Sequence, residues 1–176
     1  MGFVNAHFVA YTTDLGATAV QGAGALATVG VAGLIGGLGF GYFADKFGRR
    51  PLLTIAYSMR ALGYVVLLIA TNLPLAILGV VIIGSSWTSV ISLTGTVTSD
   101  EFGLRRLGTI YGTMFVVMPF GASSAVWLAG QLYDTMGNYD LAMWISLAMG
   151  LIATLAVGIP NTGISKRIWK KSPYKS

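Results

Sequence analysis

The feature that most constrains this chain is a series of long apolar runs, each close to the length needed to cross a bilayer. A hydrocarbon core about 30 Å thick requires roughly 20 mostly apolar residues from a spanning helix. Backbone amides in lipid must pair within their own segment, so such runs predict helices and not open strands. Short stretches containing Gly, Pro, Asn or Asp separate the runs, as expected at helix ends. We therefore predict six helices, at about residues 1–13, 17–43, 51–71, 73–97, 107–132 and 141–159.

Composition supports a membrane protein and excludes several other classes. Of 176 residues, 55% are hydrophobic and 10% are charged, against about 25% charged residues in a typical soluble domain. This excludes an ordinary cytosolic enzyme and a nucleic-acid-binding module. The absence of cysteine removes disulfide scaffolds and thiol catalysis, and one histidine with scattered acids cannot build a metal site. We expect no enzyme activity and no cofactor.

The basic residues define an orientation. Ten of the eleven follow the second, fourth or sixth apolar run, at positions 46, 49, 50, 105, 106, 166, 167, 170, 171 and 175. Cytoplasmic loops carry such an excess, so the C-terminus is predicted to be cytoplasmic, in a plasma or inner membrane. Residues 1–160 would form the bundle and 161–176 a basic tail. The first run is short and lacks signal-peptide features, so we expect Met1 to be an internal start within a longer helix.

Residues 41–50, with the sequence GYFADKFGRR, are the most informative stretch. This stretch resembles the signature loop of the major facilitator superfamily, with Gly41, Asp45, Gly48, Arg49 and Arg50 in register. The resemblance implies a loop that gates the carrier by contacting the opposite six-helix half.

Elementary electrostatics supports a mechanical role for Asp45. This anion lies at the C-terminal end of its helix, where the macrodipole disfavours it. It therefore needs compensation from Arg49 or from the positive N-terminus of another helix. Gly48 permits the tight turn of a very short connection. We favour the gate role for Asp45 and Arg49, and simple fixing of the topology for Lys46 and Arg50.

The chain also resembles one particular half of such carriers. Residues 5–16 are similar to the seventh helix of the monocarboxylate and oxalate/formate porter branch, and residues 121–139 to the end of the eleventh. The resemblance implies an all-α membrane fold, with six transmembrane helices forming the C-terminal half of a major-facilitator-type bundle. It also implies a second six-helix half as partner in the bilayer, and alternating-access transport of a small solute, such as a monocarboxylate or another organic anion.

Candidate residues for a solute or proton path begin on the first helix. His7 and Tyr11 are four residues apart and share a face, with Asn5 on a neighbouring face. The resemblance implies that this helix lines the central cavity. His7 could carry a proton or bind an anion. An equally good interpretation is a histidine hydrogen-bonded between helices.

Arg60 is the only charge inside a predicted span, ten residues beyond Arg50 and therefore about 15 Å along the helix. A charge at that depth is a functional candidate. In the resembled fold, however, this helix is peripheral, and the alternative is that Arg60 points inward to a structural partner. Trp87 among neighbouring hydroxyls, and Gln21, could contact a solute or simply bond between helices. Anion carriers of the resembled branch often hold a basic residue on the eighth or eleventh helix. The second and fifth runs, which correspond to these helices, have no basic residue in their interiors, and this weakens the interpretation that the solute is a carboxylate.

Two functions remain open on the sequence, beside a weaker third alternative, an intramembrane enzyme, for which no polar catalytic cluster is visible. The first is a half-carrier that works with a second six-helix bundle. The second is a non-transporting membrane scaffold or a truncated remnant of a carrier. No nucleic-acid partner is expected.

Overall fold

The computed structural model of the protein describes residues 2–159, which form six α-helices and no strand. These are α1 (Gly2–Asp14), α2 (Ala19–Phe47), α3 (Arg49–Leu68), α4 (Leu73–Phe102), α5 (Leu104–Met136) and α6 (Asp140–Gly158). The predicted all-α fold is confirmed. The basic tail predicted at 161–176 lies outside the described residues.

Five helices, α2 to α6, are long and apolar enough to cross a membrane, whereas α1 has 13 residues. Many large apolar side chains lie on the outer surface of the bundle; Leu38 and Leu104 are each 80% exposed. A surface of this kind is unfavourable in water and is the expected surface in lipid. The helices therefore have the properties of a multi-pass membrane bundle.

Several helices are longer than their apolar runs predicted. Helix α2 continues to Phe47 instead of residue 43, α4 continues to Phe102 instead of 97, and α5 covers Leu104–Met136 instead of 107–132. An apolar run corresponds only to the part of a helix that lies in the hydrocarbon layer. The helix itself continues into the polar residues on either side until a helix-ending residue is reached. Gly48 (φ 93°) and Gly103 (φ 78°) end α2 and α4, in a backbone region that favours glycine.

Helix α3 begins earlier and ends earlier than predicted. It starts at Arg49 instead of residue 51, directly after Gly48, and ends at Leu68 instead of 71. Asn72 caps α4, because its side chain accepts a hydrogen bond from the Leu75 amide at 3.1 Å. The residues before Asn72 therefore form the connection and not a last turn of α3.

Helix α4 lies between α2 and α3 and packs against both through glycines. A Cβ added to Gly79 would lie 3.1 Å from the carbonyl oxygen of Gly63 on α3. A Cβ added to Gly36 on α2 would collide with the backbone of Ser85 on α4. Such close backbone approach is typical of helix pairs in membranes, where small residues substitute for a hydrophobic driving force.

Helix α5 stands at the edge of the bundle. The core contains fully buried Phe8, Leu67, Val80 and Ile83, from α1, α3 and α4. In contrast, Ala129 is the only buried residue among the 33 of α5. Most of this long helix is therefore uncovered by the other described residues.

Candidate functional site

Two ion pairs join the start of α3 to the end of α4. Arg49 Nη1 lies 2.7 Å from Asp100 Oδ1, and Arg50 Nη1 lies 3.2 Å from Glu101 Oε1. The single-residue turn at Gly48 places both arginines at the start of α3, beside the last turn of α4. The signature stretch thus makes its charged contacts within this half.

Arg50 has a second structural role that the sequence did not indicate. Its Nε donates to the Val157 carbonyl at 3.0 Å, and its Nη2 donates to the Ile159 carbonyl at 2.7 Å. The last carbonyls of a helix have no partner within the helix, so Arg50 satisfies the end of α6 while pairing with α4. Arg50, at the start of α3, therefore connects three helices.

Asp45 differs from its arginine neighbours because it is exposed and has no ion pair among residues 2–159. Of the two compensating groups considered for it, Arg49 is already paired with Asp100. Gly41, one turn before Asp45, faces open space, with no atom within 4 Å of an added Cβ. The C-terminal end of α2 therefore presents, on an open helix surface, a carboxylate that has no ion pair with the part of the chain that the structure describes.

His7 connects α1 to α5 and to the connection between α5 and α6. Its Nε2 lies 3.0 Å from the carbonyl oxygen of Val126, which can only accept, so Nε2 carries the hydrogen. Its Nδ1 lies 3.3 Å from the Tyr139 hydroxyl, which donates to it when the ring is neutral. Burial raises the pKa of Tyr139, so this hydroxyl keeps its proton at neutral pH. Both ring nitrogens of His7 therefore bond between segments.

The other candidates on α1 and α2 also make hydrogen bonds within the bundle, with Asn5 as the exception. The Tyr11 hydroxyl donates to the Leu67 carbonyl at 2.6 Å, joining α1 to α3. Gln21 completes a capping box with Thr18 at the start of α2, its Oε1 accepting from the Thr18 amide at 2.9 Å. Asn5 lies on the exposed face of α1. His7 and Tyr11 both contact Tyr139, whose ring centroid lies 5.4 Å from that of His7 and 6.5 Å from that of Tyr11.

Arg60 and Trp87, predicted separately, lie together between α3 and α4. The guanidinium carbon of Arg60 lies 5.5 Å from the Trp87 ring centroid and 5.7 Å from that of Tyr57. Its Nε and Nη2 are buried and have no hydrogen-bond partner among the described residues. The bundle therefore holds a cation between two aromatic faces, with one edge unsatisfied.

Sequence reasoning missed Tyr139, Tyr57 and the acidic partners Asp100 and Glu101. Tyr139 follows the helix-ending Gly137 and stacks on Tyr133 at 4.4 Å between centroids. From the sequence alone, an aromatic residue in a short loop gives little indication that it contacts functional residues. Asp100 and Glu101 were visible as an acidic pair at the inner end of a span, opposite the paired arginines, and that charge complementarity could have identified them.

Comparisons with known proteins agree with these features. The family model described as Major Facilitator Superfamily matches residues 1–167. An uncharacterized MFS-type transporter, YcxA, of Bacillus subtilis is 28% identical over 88% of this chain and 39% of its own length. Monocarboxylate transporter 12 of Xenopus laevis is 26% identical over 95% of this chain and 36% of its own length. A triacylglyceride transporter of Mycobacteroides abscessus is 25% identical over 66% of this chain and 23% of its own length.

The chain thus spans well under half the length of each of these relatives. Its single helical bundle, its five spanning helices and the signature stretch at α2–α3 are consistent with one half of such a carrier. On the match to the family model over residues 1–167, this integral, multi-pass membrane chain belongs to the major facilitator superfamily of transporters.

Proposed function

We propose that this chain forms one half of a secondary transporter and moves a small solute by alternating access together with a second six-helix half. The observation that carries the proposal is the uncovered face of α5. An open groove of about 620 Å³ runs along it, lined by Thr109, Ile110, Thr113, Met114, Val117 and Met118. Thr109 and Thr113 in this lining carry hydroxyl groups, which on a membrane helix favour contact with another helix over contact with lipid.

The exposed carboxylate of Asp45 supports the same proposal at the cytoplasmic end. A buried or membrane-proximal anion at a helix C-terminus is unfavourable unless a positive group faces it. Within this half, the nearby Arg49 and Arg50 are paired with other acids. We propose that Asp45 pairs across the interface with the second half in one transport state and separates in the other.

For the solute we propose an organic anion, with a monocarboxylate as the specific form. Arg60 supplies a cation within the membrane layer, and one relative is named as a monocarboxylate transporter. Another relative is named for triacylglyceride, so family membership alone does not select the solute. His7 is the candidate for proton coupling, since its ring can gain a proton while remaining bonded to Tyr139, which would then accept.

The test is transport by the reconstituted pair. The chain is co-expressed with the N-terminal half of its Bacillus relative, purified as a complex and placed in proteoliposomes. We expect saturable uptake of radiolabelled lactate, lost in Asp45→Ala and retained in the adjacent control Lys46→Ala. Stable, monodisperse complexes with no uptake of any carboxylate or neutral solute would instead favour the non-transporting scaffold.

A further inference from the structure

The buried edge of Arg60 is the least satisfied polar group that the structure describes. Nε and Nη2 are both buried without an acceptor. These two atoms form one side of the planar guanidinium and direct two N–H bonds nearly parallel to each other. Leaving donors of a charged group unpaired inside a protein carries a large desolvation cost. Two parallel donors fit an acceptor with two oxygens, which is the geometry of a carboxylate.

The acids of this chain are in the wrong places to supply that acceptor. Arg60 lies eleven residues after the first residue of α3, about 16 Å along the helix axis. All six acids of the sequence lie at or beside helix ends: Asp14, Asp45, Asp100, Glu101, Asp134 and Asp140. The two at the inner end of α4 are already paired with Arg49 and Arg50.

The aromatic contacts of Arg60 position the cation without satisfying it. Trp87 and Tyr57 place ring faces 5.5 and 5.7 Å from the guanidinium carbon. Cation–π contacts stabilise the charge and fix the guanidinium plane, but they accept no N–H bond along its edge. Arg60 as a residue is only partly buried, so its flexible side chain can present this edge to a ligand while the helix stays intact.

We propose that Arg60, Tyr57 and Trp87 form a binding site for the carboxylate of a small organic anion in the interior of this half. The two N–H groups of the Arg60 edge bind the two carboxylate oxygens, and the Trp87 and Tyr57 rings contact the apolar body. The depth of Arg60 favours a small solute over a lipid headgroup, because headgroups lie at the surface of the hydrocarbon layer. In naming the solute class, this inference rests on the proposed function.

The site contains its own reporter, since Trp87 is part of it. The other three tryptophans are replaced in the full chain by Trp127→Phe, Trp144→Phe and Trp169→Phe; Trp127 and Trp144 are 66% and 58% exposed, so little packing is lost. Propanoate is titrated into this protein in detergent while Trp87 emission is recorded. We expect a saturable change with propanoate and none with the uncharged isostere propanamide.

Variants of Arg60 identify the group responsible. Arg60→Gln should weaken propanoate binding by at least about tenfold, as for loss of a charged hydrogen-bonded pair. Arg60→Lys keeps the positive charge but loses the two parallel N–H donors, so this variant should also bind propanoate more weakly. Arg106→Gln, an exposed cation at the start of α5, is the matched control and should bind as the parent does. Circular dichroism and gel filtration establish that each variant is folded.

Three results would overturn the proposal: no saturable response to propanoate in folded protein, an equal response in Arg60→Gln, or a response to vesicles containing phosphatidylglycerol but not to propanoate. The measurement needs neither a second half nor transport. A failure to bind propanoate would therefore not contradict the half-carrier proposal, which is tested by uptake in proteoliposomes. A failure of uptake would likewise not contradict the proposed binding site at Arg60.

Discussion

At the scale of single residues, Arg50 makes polar contacts with two other helices. It bonds Glu101 on α4 and the carbonyls of Val157 and Ile159 at the end of α6. Arg50→Ala removes all three contacts and leaves helix-end carbonyls unsatisfied. Because the side chain is about one third exposed, we expect the free energy of unfolding to fall by only about 1–2 kcal/mol. Unfolding in mixed micelles, followed by circular dichroism, measures this loss.

Arg49 is the matched control at the neighbouring position. It makes one ion pair, with Asp100, and both side chains are more exposed than those of the Arg50–Glu101 pair. Surface pairs of this kind contribute little to stability. Arg49→Ala should therefore leave the unfolding free energy nearly unchanged. Equal losses in the two variants would contradict the role assigned to the Arg50 contacts with α6.

At the scale of helices, Gly36 lies at a close approach of α2 and α4. A Cβ at Gly36 would collide with the Ser85 backbone, whereas one at Gly39, three residues later, meets no atom within 4 Å. Gly36→Ala should separate the helices and destabilise the bundle by about 1–3 kcal/mol. Gly39→Ala should be neutral or stabilising by up to about 1 kcal/mol, because alanine favours helix. Thermal aggregation midpoints in the same detergent compare the two. A larger loss in the Gly39 variant would show that the assigned packing face is wrong.

Helix number and type could be predicted because hydrocarbon thickness imposes a length on every apolar run. The helix ends could not, since they depend on turn residues such as Gly48 and Gly103 beyond the apolar runs. On α2, small residues recur at Gly33, Gly37 and Gly41, but only part of this stripe faces α4. A Cβ added to Gly33 or Gly37 would contact Thr88 on α4, whereas one added to Gly41 would meet no atom within 4 Å.

The candidate site was predictable residue by residue but not as an arrangement. Arg60 was identified by its depth and Trp87 by its hydroxyl-rich surroundings, yet their contact depends on the register of α3 against α4. That register is set by the close pair Gly63 and Gly79, which carries no chemical signal in the sequence. Gln21 was proposed for its polarity, and its role as a cap becomes evident only once the start of α2 is known.

At the scale of the whole molecule, the charge pattern predicts which loops share a side of the membrane. The sequence contains no cysteine, so single cysteines can report on each loop. With a membrane-impermeant maleimide on intact cells, Asn138→Cys should be labelled at once and Arg106→Cys only after permeabilisation. Both positions are exposed in the bundle, so burial does not limit the reaction. Labelling of both from the same side would refute the six-span topology.

The one-residue connections at Gly48 and Gly103 restrict how this bundle can move. Each joins two long antiparallel neighbours, α2 to α3 and α4 to α5, at the same end. Neighbours tied so tightly cannot part at that end, and the Arg49 and Arg50 contacts fasten the two hairpins to each other. If the chain is half of a carrier, as proposed, an opening at this end would come from tilting the bundle as one body against the second half.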